Sequence, residues 1–278
     1  MYILAFCITL VLTLILKIMA RITGPFKITG TIGGMNFYQD GDKNIGRMAG
    51  GGFNGEAFKT KDSMERVREN ASEFGHCAAV KSTFMRALHP YLSKLKGRKL
   101  HSAMTSMFVQ IKNFDPVSAR GVRRVAPGLT TTDGRNLLLT YSYPERFTVD
   151  YTLGNRFSVD MVTHTCSCTD FDVSGIAFPE FATHVGLLYG VVVMDFDTIE
   201  AHTFLAEEYY VSKNDANHSI VLNPVTPPSP FTASLVTEDE AGDGVRIAVM
   251  GVRFYQEVNG VMTKLEAKRG VGVLGVVV

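Results

Sequence analysis

The sequence predicts an α+β fold, in which a small N-terminal β-hairpin and a helical pair precede an antiparallel Ig-like β-sandwich. Three patterns support this prediction: short apolar runs separated by glycines up to residue 48, a helical apolar period from Thr60 to Phe114, and a period of two from Leu137 onward. The chain has 278 residues, of which 46% are hydrophobic, so it is long enough to bury a substantial core.

The N-terminal runs favour the hairpin. Phe26–Gly30 and Thr31–Tyr38 have the pattern of short strands, and Asn44–Met48 that of a return strand. Between them Asp40-Gly41 is a typical tight-turn pair.

Gly50, Gly52 and Gly55 match the dinucleotide-binding pattern G-x-G-x-x-G. That motif binds a cofactor when it follows a buried strand and opens a helix within a βαβ unit. Here the helical pattern starts several residues later and no βαβ pattern follows, so we expect a loop and no cofactor.

Two helices are predicted in the central stretch. The first begins with a capping box formed by Asp62 and Glu65, and Pro90 ends or kinks it. The second covers Arg98–Lys112. Apolar residues at steps of three and four are expected to face the core. They are Met64, Val67, Ala71, Phe74, Ala78, Val80, Phe84 and Leu88 in the first helix, and Leu100, Met104, Met107 or Phe108, and Ile111 in the second.

Charged side chains on the first helix, among them Arg66, Arg68, Glu69 and Glu73, are spaced so that they can pair at steps of three and four. We expect a solvated or interdomain ion-pair face. A docking surface for another subunit is the alternative.

From Leu137 apolar and polar residues alternate, which predicts an antiparallel sandwich. Asn259-Gly260 predicts a type I′ hairpin turn, and the prolines between residues 224 and 230 predict a stiff surface link. The uncharged Gly270–Val278 tail is expected to be a buried last strand. The other candidate strands are Leu137–Tyr143, Phe147–Leu153, Phe157–His164, Gly186–Phe196, Thr203–Val211, Ser219–Leu222, Thr232–Val236, Val245–Val258 and Val261–Glu266.

Several strings resemble an uncharacterised family of hypothetical proteins from Bacteroidota. They are the start Met19-Ala-Arg, the run Gly30-Thr-Ile-Gly33 followed by Phe37-Tyr38, the helical string Arg66-Val-Arg-Glu-Asn-Ala-Ser-Glu-Phe-Gly75, the segment Ser118-Ala-Arg-Gly121 and the strand Phe254-Tyr-Gln-Glu-Val-Asn-Gly-Val261. The resemblance runs from Met19 nearly to the end of the chain. It implies a domain order and a start at Met19, and it brings no established activity.

Residues 1–18 form an apolar leader. Its uncharged run, Ile3–Leu16, is shorter than the ~20 residues that span a bilayer, and it lacks the basic start and small-residue cleavage site of a secretory signal. We therefore expect Met19 to be the working start. A membrane anchor and a cleaved signal are the alternatives, and a membrane contact is expected only if the leader is genuine.

The charges are unevenly distributed along the chain. Residues 74–132 hold ten Lys or Arg and the single acid Asp115, whereas residues 133–278 hold nine Lys or Arg and nineteen Asp or Glu. A solvated loop, docking on an acidic protein surface and binding to nucleic-acid phosphates are three interpretations of the basic part. Its candidate interaction surface consists of Lys94, Lys96, Arg98, Lys99, Arg120, Arg123 and Arg124.

His164, Cys166, Cys168, Asp170 and Asp172 would share one face of a regular strand. His and Cys are zinc ligands, but the sequence offers no second, separated pair of the kind that structural zinc sites use. We expect buried cysteines and no metal, with a metal site as the alternative. The cysteines are expected to be reduced thiols of a cytoplasmic or particle-associated protein; membrane anchoring is the alternative location.

The chain contains no G-x-S-x-G, H-E-x-x-H or P-loop pattern, so we predict no enzyme and no catalytic residues. We expect three parts: the leader (1–18), the hairpin with a basic two-helix region (19–132) and an acidic β-sandwich (133–278). The predicted function is a non-enzymatic structural or assembly protein, for example of a phage-like particle or filament. It is expected to form a homo-oligomer through its basic and acidic parts. The alternative is a nucleic-acid-associated protein that binds the phosphate backbone through the basic helical region.

Overall fold

The computed structural model describes residues 19–22, 28–49, 55–93, 98–145, 147–206, 208–224, 244–266 and 269–278, with residues 19–22 and 98 described by their backbone. The leader (1–18), most of the glycine-rich loop (50–54), the prolines at 227–230 and the predicted strand at 232–236 lie outside the described residues. The chain divides into two compact units, Met1–Glu65 and Arg66–Val278.

The first unit is built on an antiparallel sheet with the strand order β1-β4-β3-β2. Its described elements are β1 (Met19–Ile22), β2 (Gly30–Ile32), β3 (Met35–Asp40), β4 (Lys43–Met48), α1 (Gly55–Thr60) and a 3-10 turn (Asp62–Met64). The predicted turn at Asp40-Gly41 and its return strand are confirmed. The predicted single run Thr31–Tyr38 is two strands, because Gly33 and Gly34 take positive φ angles of 55° and 77° and reverse the chain.

The second unit contains the remaining elements. Its helices are α2 (Glu65–Ala87, which begins at the unit boundary), α3 (His89–Leu92), α4 (Arg98–Asn113), α5 (Val125–Leu129), α6 (Thr132–Leu139) and α7 (Val149–Leu153). Its strands are β5 (Ser142–Tyr143), β6 (Ser158–Asp160), β7 (Thr165–Phe171), β8 (His184–Asp195), β9 (Glu200–Leu205), β10 (Tyr209–Ser212), β11 (His218–Leu222), β12 (Val245–Val258), β13 (Val261–Lys264) and β14 (Gly270–Val277).

These strands form two antiparallel sheets. The larger sheet has the order β10-β8-β12-β14-β5, with β9 added beside β8 and β13 beside β12. The smaller sheet has the order β11-β7-β6. Strands β8 and β12 pair along eleven residues and form the middle of the larger sheet.

The larger sheet is buried on both faces. Along β12, Ile247 and Val249 face a core shared with α2 and α4, whereas Ala248 and Met250 face a core shared with the smaller sheet. The second unit therefore has three layers: helices, the larger sheet and the smaller sheet. This confirms the predicted α+β class and its antiparallel, sandwich-like β-layers. The boundary predicted at residue 132 falls inside this unit, because the helices and the larger sheet share one core.

The buried stripe of α2 differs from its prediction in the first half of the helix. Val80, Phe84 and Leu88 are buried as expected, but Phe74 is 57% exposed. Glu73 and Cys77 occupy the buried face there. The predicted capping box is also wrong, because Asp62 lies in the 3-10 turn and the residue before it makes no side-chain cap.

Two predicted strands contain helix. Leu137–Tyr143 starts in the last residues of α6 and ends in the short strand β5, Ser142–Tyr143. Helix α6 begins where the Thr131 hydroxyl accepts a hydrogen bond from the Gly134 amide at 3.1 Å. Phe147–Leu153 contains α7, which ends at Gly154 with a φ of 66°.

The helix predicted at Arg98–Lys112 is confirmed as α4, and the strands β8, β11, β12 and β13 lie within a few residues of their predicted bounds. Asn259-Gly260 forms the predicted turn, with φ angles of 53° and 78°. The apolar C-terminal tail forms β14, which is buried as far as Val273 and exposed at its end. Among the described residues, no helix combines the length and apolar composition needed to cross a membrane.

Candidate interaction surface

The seven basic residues predicted as an interaction surface lie in different surroundings. Lys94 and Lys96 are outside the described residues, and the backbone of Arg98 begins α4. Lys99 is exposed on the first turn of α4. The other three lie in the loop that joins α4 to α5.

Arg120 and Arg123 in this loop pair with carboxylates on α2. The Arg120 Nε lies 3.1 Å from the Glu69 Oε2, and its Nη2 donates a hydrogen bond to the Asn70 Oδ1 at 3.3 Å. The Arg123 Nε donates to the Glu73 Oε1 at 2.9 Å. Both arginines therefore hold the loop against α2 within the same unit.

Glu73 is the centre of this contact and is only 1% exposed, so the solvated ion-pair face predicted for α2 is wrong at this position. Its carboxylate also accepts hydrogen bonds from the Lys112 Nζ and, at 2.7 Å, from the Gly121 amide. Burial raises the pKa of Glu73, but the hydrogen bonds from Arg123, Lys112 and Gly121 outweigh it and lower the pKa to about 2. Gly121 has a φ of +94°, and an added Cβ would lie 2.9 Å from the Glu69 Cγ, so the loop requires glycine here.

Asp115 fixes the conformation of the same loop. Its carboxylate accepts hydrogen bonds from the amides of Val117, Ser118 and Arg124 at 2.9–3.0 Å. Burial opposes ionisation, but these amides lower the pKa of Asp115 to about 2. The side chains of Lys99 and Arg124 form no salt bridge with another described residue. Among the side chains of the predicted surface that the structure describes, these two therefore remain available to a partner.

A groove that the sequence did not indicate lies between the second half of α2 and the edge strand β9. It has a volume of about 1040 Å³, and we call it the β9 groove. The Thr203 hydroxyl donates to the Ala87 carbonyl at 3.0 Å and so ties β9 to α2. The lining includes Lys81, Arg86 and His89 from the helical side and Ala201, Thr203 and Leu205 from β9.

Lys99 lines a second groove, of about 980 Å³, on another side of α4. Most of its polar lining consists of uncharged groups, such as the hydroxyls of Ser102, Ser106 and Thr140. Its only lining carboxylate among the described residues is Glu145. With one cation and one carboxylate, this groove has no strong charge preference.

The His164–Asp172 segment does not present five side chains on one face. Cys166 and Cys168 are buried in the core between the two sheets, and burial raises the pKa of both thiols. His164 and Asp170 have positive φ angles of 56° and 55°, which interrupt the alternation. Asp172 accepts hydrogen bonds from Ser174. Within the described ranges, no three His, Cys, Asp or Glu side chains come together as metal ligands.

One polar cluster was missed because its members are far apart in the sequence. The Glu208 carboxylate accepts hydrogen bonds from the hydroxyls of Tyr255 at 2.6 Å and Tyr210 at 3.2 Å. The Arg253 Nη1 lies 3.6 Å from the same carboxylate, and the Arg253 Nη2 donates to the Pro90 carbonyl. Burial, and next the hydrogen bond to Glu208, raise the pKa of Tyr255. The cluster joins α3 to the larger sheet and leaves no free nucleophile.

The N-terminal sheet has one apolar face. Cross-strand pairing puts Ile32, Met35 and Met48 side by side, and Phe37 opposite Gly46. Ile32 and Met48 are 60% and 63% exposed. We call these residues the N-terminal apolar face.

The other face of this sheet carries polar and charged groups beside Ile45 and Tyr38. Asn36 lies opposite Arg47 there, and the Arg47 guanidinium lies 5.6 Å from the centre of the Tyr38 ring.

Comparison with known proteins adds no relative: no protein-family model matches the sequence, and no curated protein or solved structure matches it.

Proposed function

We propose that this chain is a non-enzymatic structural protein that self-associates, as a subunit of a larger particle or filament. The observation that supports the proposal most is the N-terminal apolar face with its exposed Ile32 and Met48. A sheet gains stability when another layer covers its apolar face, and burying one such side chain contributes about 1.5–3 kcal/mol. The face therefore favours association.

A second copy of the chain is the proposed partner of this face. Ile32, Met35, Phe37 and Met48 are uncharged, so two copies can meet there without burying a charge. In such an isologous contact the same patch is used by both subunits. The opposite face carries Arg47 and would bury two cations in the same arrangement.

The uneven charge of the chain supplies a second and weaker contact, between the basic part of one subunit and the acidic part of the next. Arg120 and Arg123 are engaged within the chain, so Lys99 and Arg124 are the described cations of the predicted surface that serve this contact. Exposed charges are screened beyond ~8 Å at physiological salt. This contact therefore guides orientation more than it adds affinity.

Light scattering coupled to size exclusion tests the proposal at tens of micromolar protein. We expect the native chain and a Thr31→Ala control, which changes the polar face, to be larger than a monomer. The Ile32→Ser/Met48→Ser double variant should be a monomer with an unchanged circular dichroism spectrum. A native chain that is strictly monomeric would overturn the proposal, and a salt-sensitive gel shift with duplex DNA would favour the nucleic-acid alternative.

A further inference from the structure

The outer edge of β9 has unpaired backbone groups. The Ala206 amide donates to the Tyr189 carbonyl at 2.9 Å, in register with the β8–β9 ladder. Because bonded and non-bonded pairs alternate in an antiparallel ladder, the amides and carbonyls of Ala201, Thr203 and Leu205 point away from β8. No described residue outside the ladder forms a hydrogen bond with them. Another strand can therefore pair here.

The β9 groove provides space beside this edge. Ala201, Thr203 and Leu205 line it, so the residues with unpaired backbone groups lie beside the open volume. The six residues of β9 can pair with about 20 Å of extended chain. The geometry therefore fits an added strand.

The charges of the groove select an acidic strand. Lys81 and Arg86 line it, and Glu200 is the only acidic residue among the described lining residues. Arg86 is exposed, so its guanidinium can reach a carboxylate on an incoming chain.

We propose that the β9 groove binds an extended acidic peptide segment of a partner protein, which adds to the edge of β9 as an antiparallel or parallel strand. The backbone groups of β9 would supply affinity, as in other strand-addition complexes, and Lys81 and Arg86 would select carboxylates at alternate positions. A nucleic acid would use the two cations but leave the amides and carbonyls of β9 unpaired. The observations therefore favour a peptide.

Fluorescence anisotropy tests this with a labelled ten-residue peptide of alternating Glu and Val at low salt. We expect saturable binding that weakens as salt is raised, and no binding of the matching Lys/Val peptide. Ala201→Pro removes an outward amide without breaking the ladder to β8, since proline is tolerated on an edge strand. This variant and Arg86→Ala should each lower the affinity at least about fivefold, with unchanged circular dichroism.

A second test changes the ligand instead of the protein, so it holds even if Ala201→Pro fails to fold. The Glu/Val peptide methylated on every backbone nitrogen keeps its charges but cannot donate a backbone hydrogen bond along either edge, and it should bind at least about fivefold more weakly than its parent. Equal binding of both peptides, or no binding of either by the native chain, would overturn the proposal. A single-stranded oligonucleotide that displaces the peptide, and whose affinity is unaffected by Ala201→Pro, would assign the groove to nucleic acid instead.

Discussion

Replacing Glu73 by Gln is expected to lower the free energy of unfolding by about 3 kcal/mol. The substitution keeps the size of the side chain but leaves Lys112, whose side chain is 8% exposed, without its counter-charge. Two considerations give the same magnitude. Breaking a buried ion pair costs about 3–5 kcal/mol. Lowering a pKa from 4.5 to about 2 corresponds to about 3 kcal/mol.

The pH dependence of this effect has a definite sign. The folded-state pKa of Glu73 is depressed, so its carboxylate stabilises the fold above pH 4.5, and this stabilisation is lost as the pH falls towards 2. Between pH 5 and pH 3 the native chain should lose about 2 kcal/mol more than Glu73→Gln. Urea unfolding followed by circular dichroism at several pH values measures both quantities.

Two further variants control the experiment. Glu69→Gln removes a more exposed ion pair with Arg120 and should cost less than about 1 kcal/mol. Adding Lys112→Met to Glu73→Gln should recover part of the loss, because it removes the stranded charge. The reasoning would be refuted if Glu73→Gln lowered the free energy of unfolding by less than about 1 kcal/mol and the variant kept the same pH dependence of stability as the native chain.

Three other predictions concern packing and protonation. In urea unfolding, Gly128→Ala should destabilise the protein by about 3 kcal/mol, because the added Cβ would lie 2.1 Å from a backbone oxygen of α4. Gly75→Ala on α2 is the control: its Cβ would meet open space, so it should stabilise the protein by about 0.5–1 kcal/mol. In thermal unfolding, Phe84→Ala should cost about 3–5 kcal/mol and the exposed Phe74→Ala less than about 0.5 kcal/mol. Burial lowers the pKa of His76 below 6.5, so the unfolded state binds more protons and stability should fall as the pH drops below 6.5; His76→Gln should flatten that fall.

Each of these predictions has a contradicting result. A stable Gly128→Ala variant would show that α5 does not approach α4 so closely. Equal losses of stability for Phe74→Ala and Phe84→Ala would show that the buried face of α2 is not the one described above. If the pH dependence of stability were unchanged in His76→Gln, His76 would not be the group whose protonation destabilises the fold.

The elements predicted correctly are those whose signals are local. The period of α4, the long apolar run of β12 and the turn at Asn259-Gly260 each depend on residues close in sequence. Leu137–Tyr143 was mispredicted because its apolar run is short, and such runs do not separate a strand from a buried helix end. The capping hydroxyl of Thr131 and the terminal Gly154 were the available helix signals for α6 and α7.

Long-range ion pairs explain two further differences. The apolar residues alone did not reveal which face of α2 is buried. Glu73 occupies a core position on that face because Lys112 and Arg123 neutralise its charge. The basic cluster likewise looked free, since Glu69 and Glu73 precede Arg120 and Arg123 by about fifty residues. Charge counted by segment does not reveal partners that only folding brings together.

The larger sheet, which covers the helices with one of its faces, also has a consequence for biosynthesis. The helices α2 and α4 are complete by Asn113, but β8 begins at His184 and β12 at Val245. Ribosomes add about 5–20 residues per second, so the apolar side of the helices waits for several seconds before its covering strands emerge. Nascent chains of this protein should therefore depend on holding chaperones until β12 has been synthesised, and slowing translation before Val245 should raise the aggregated fraction.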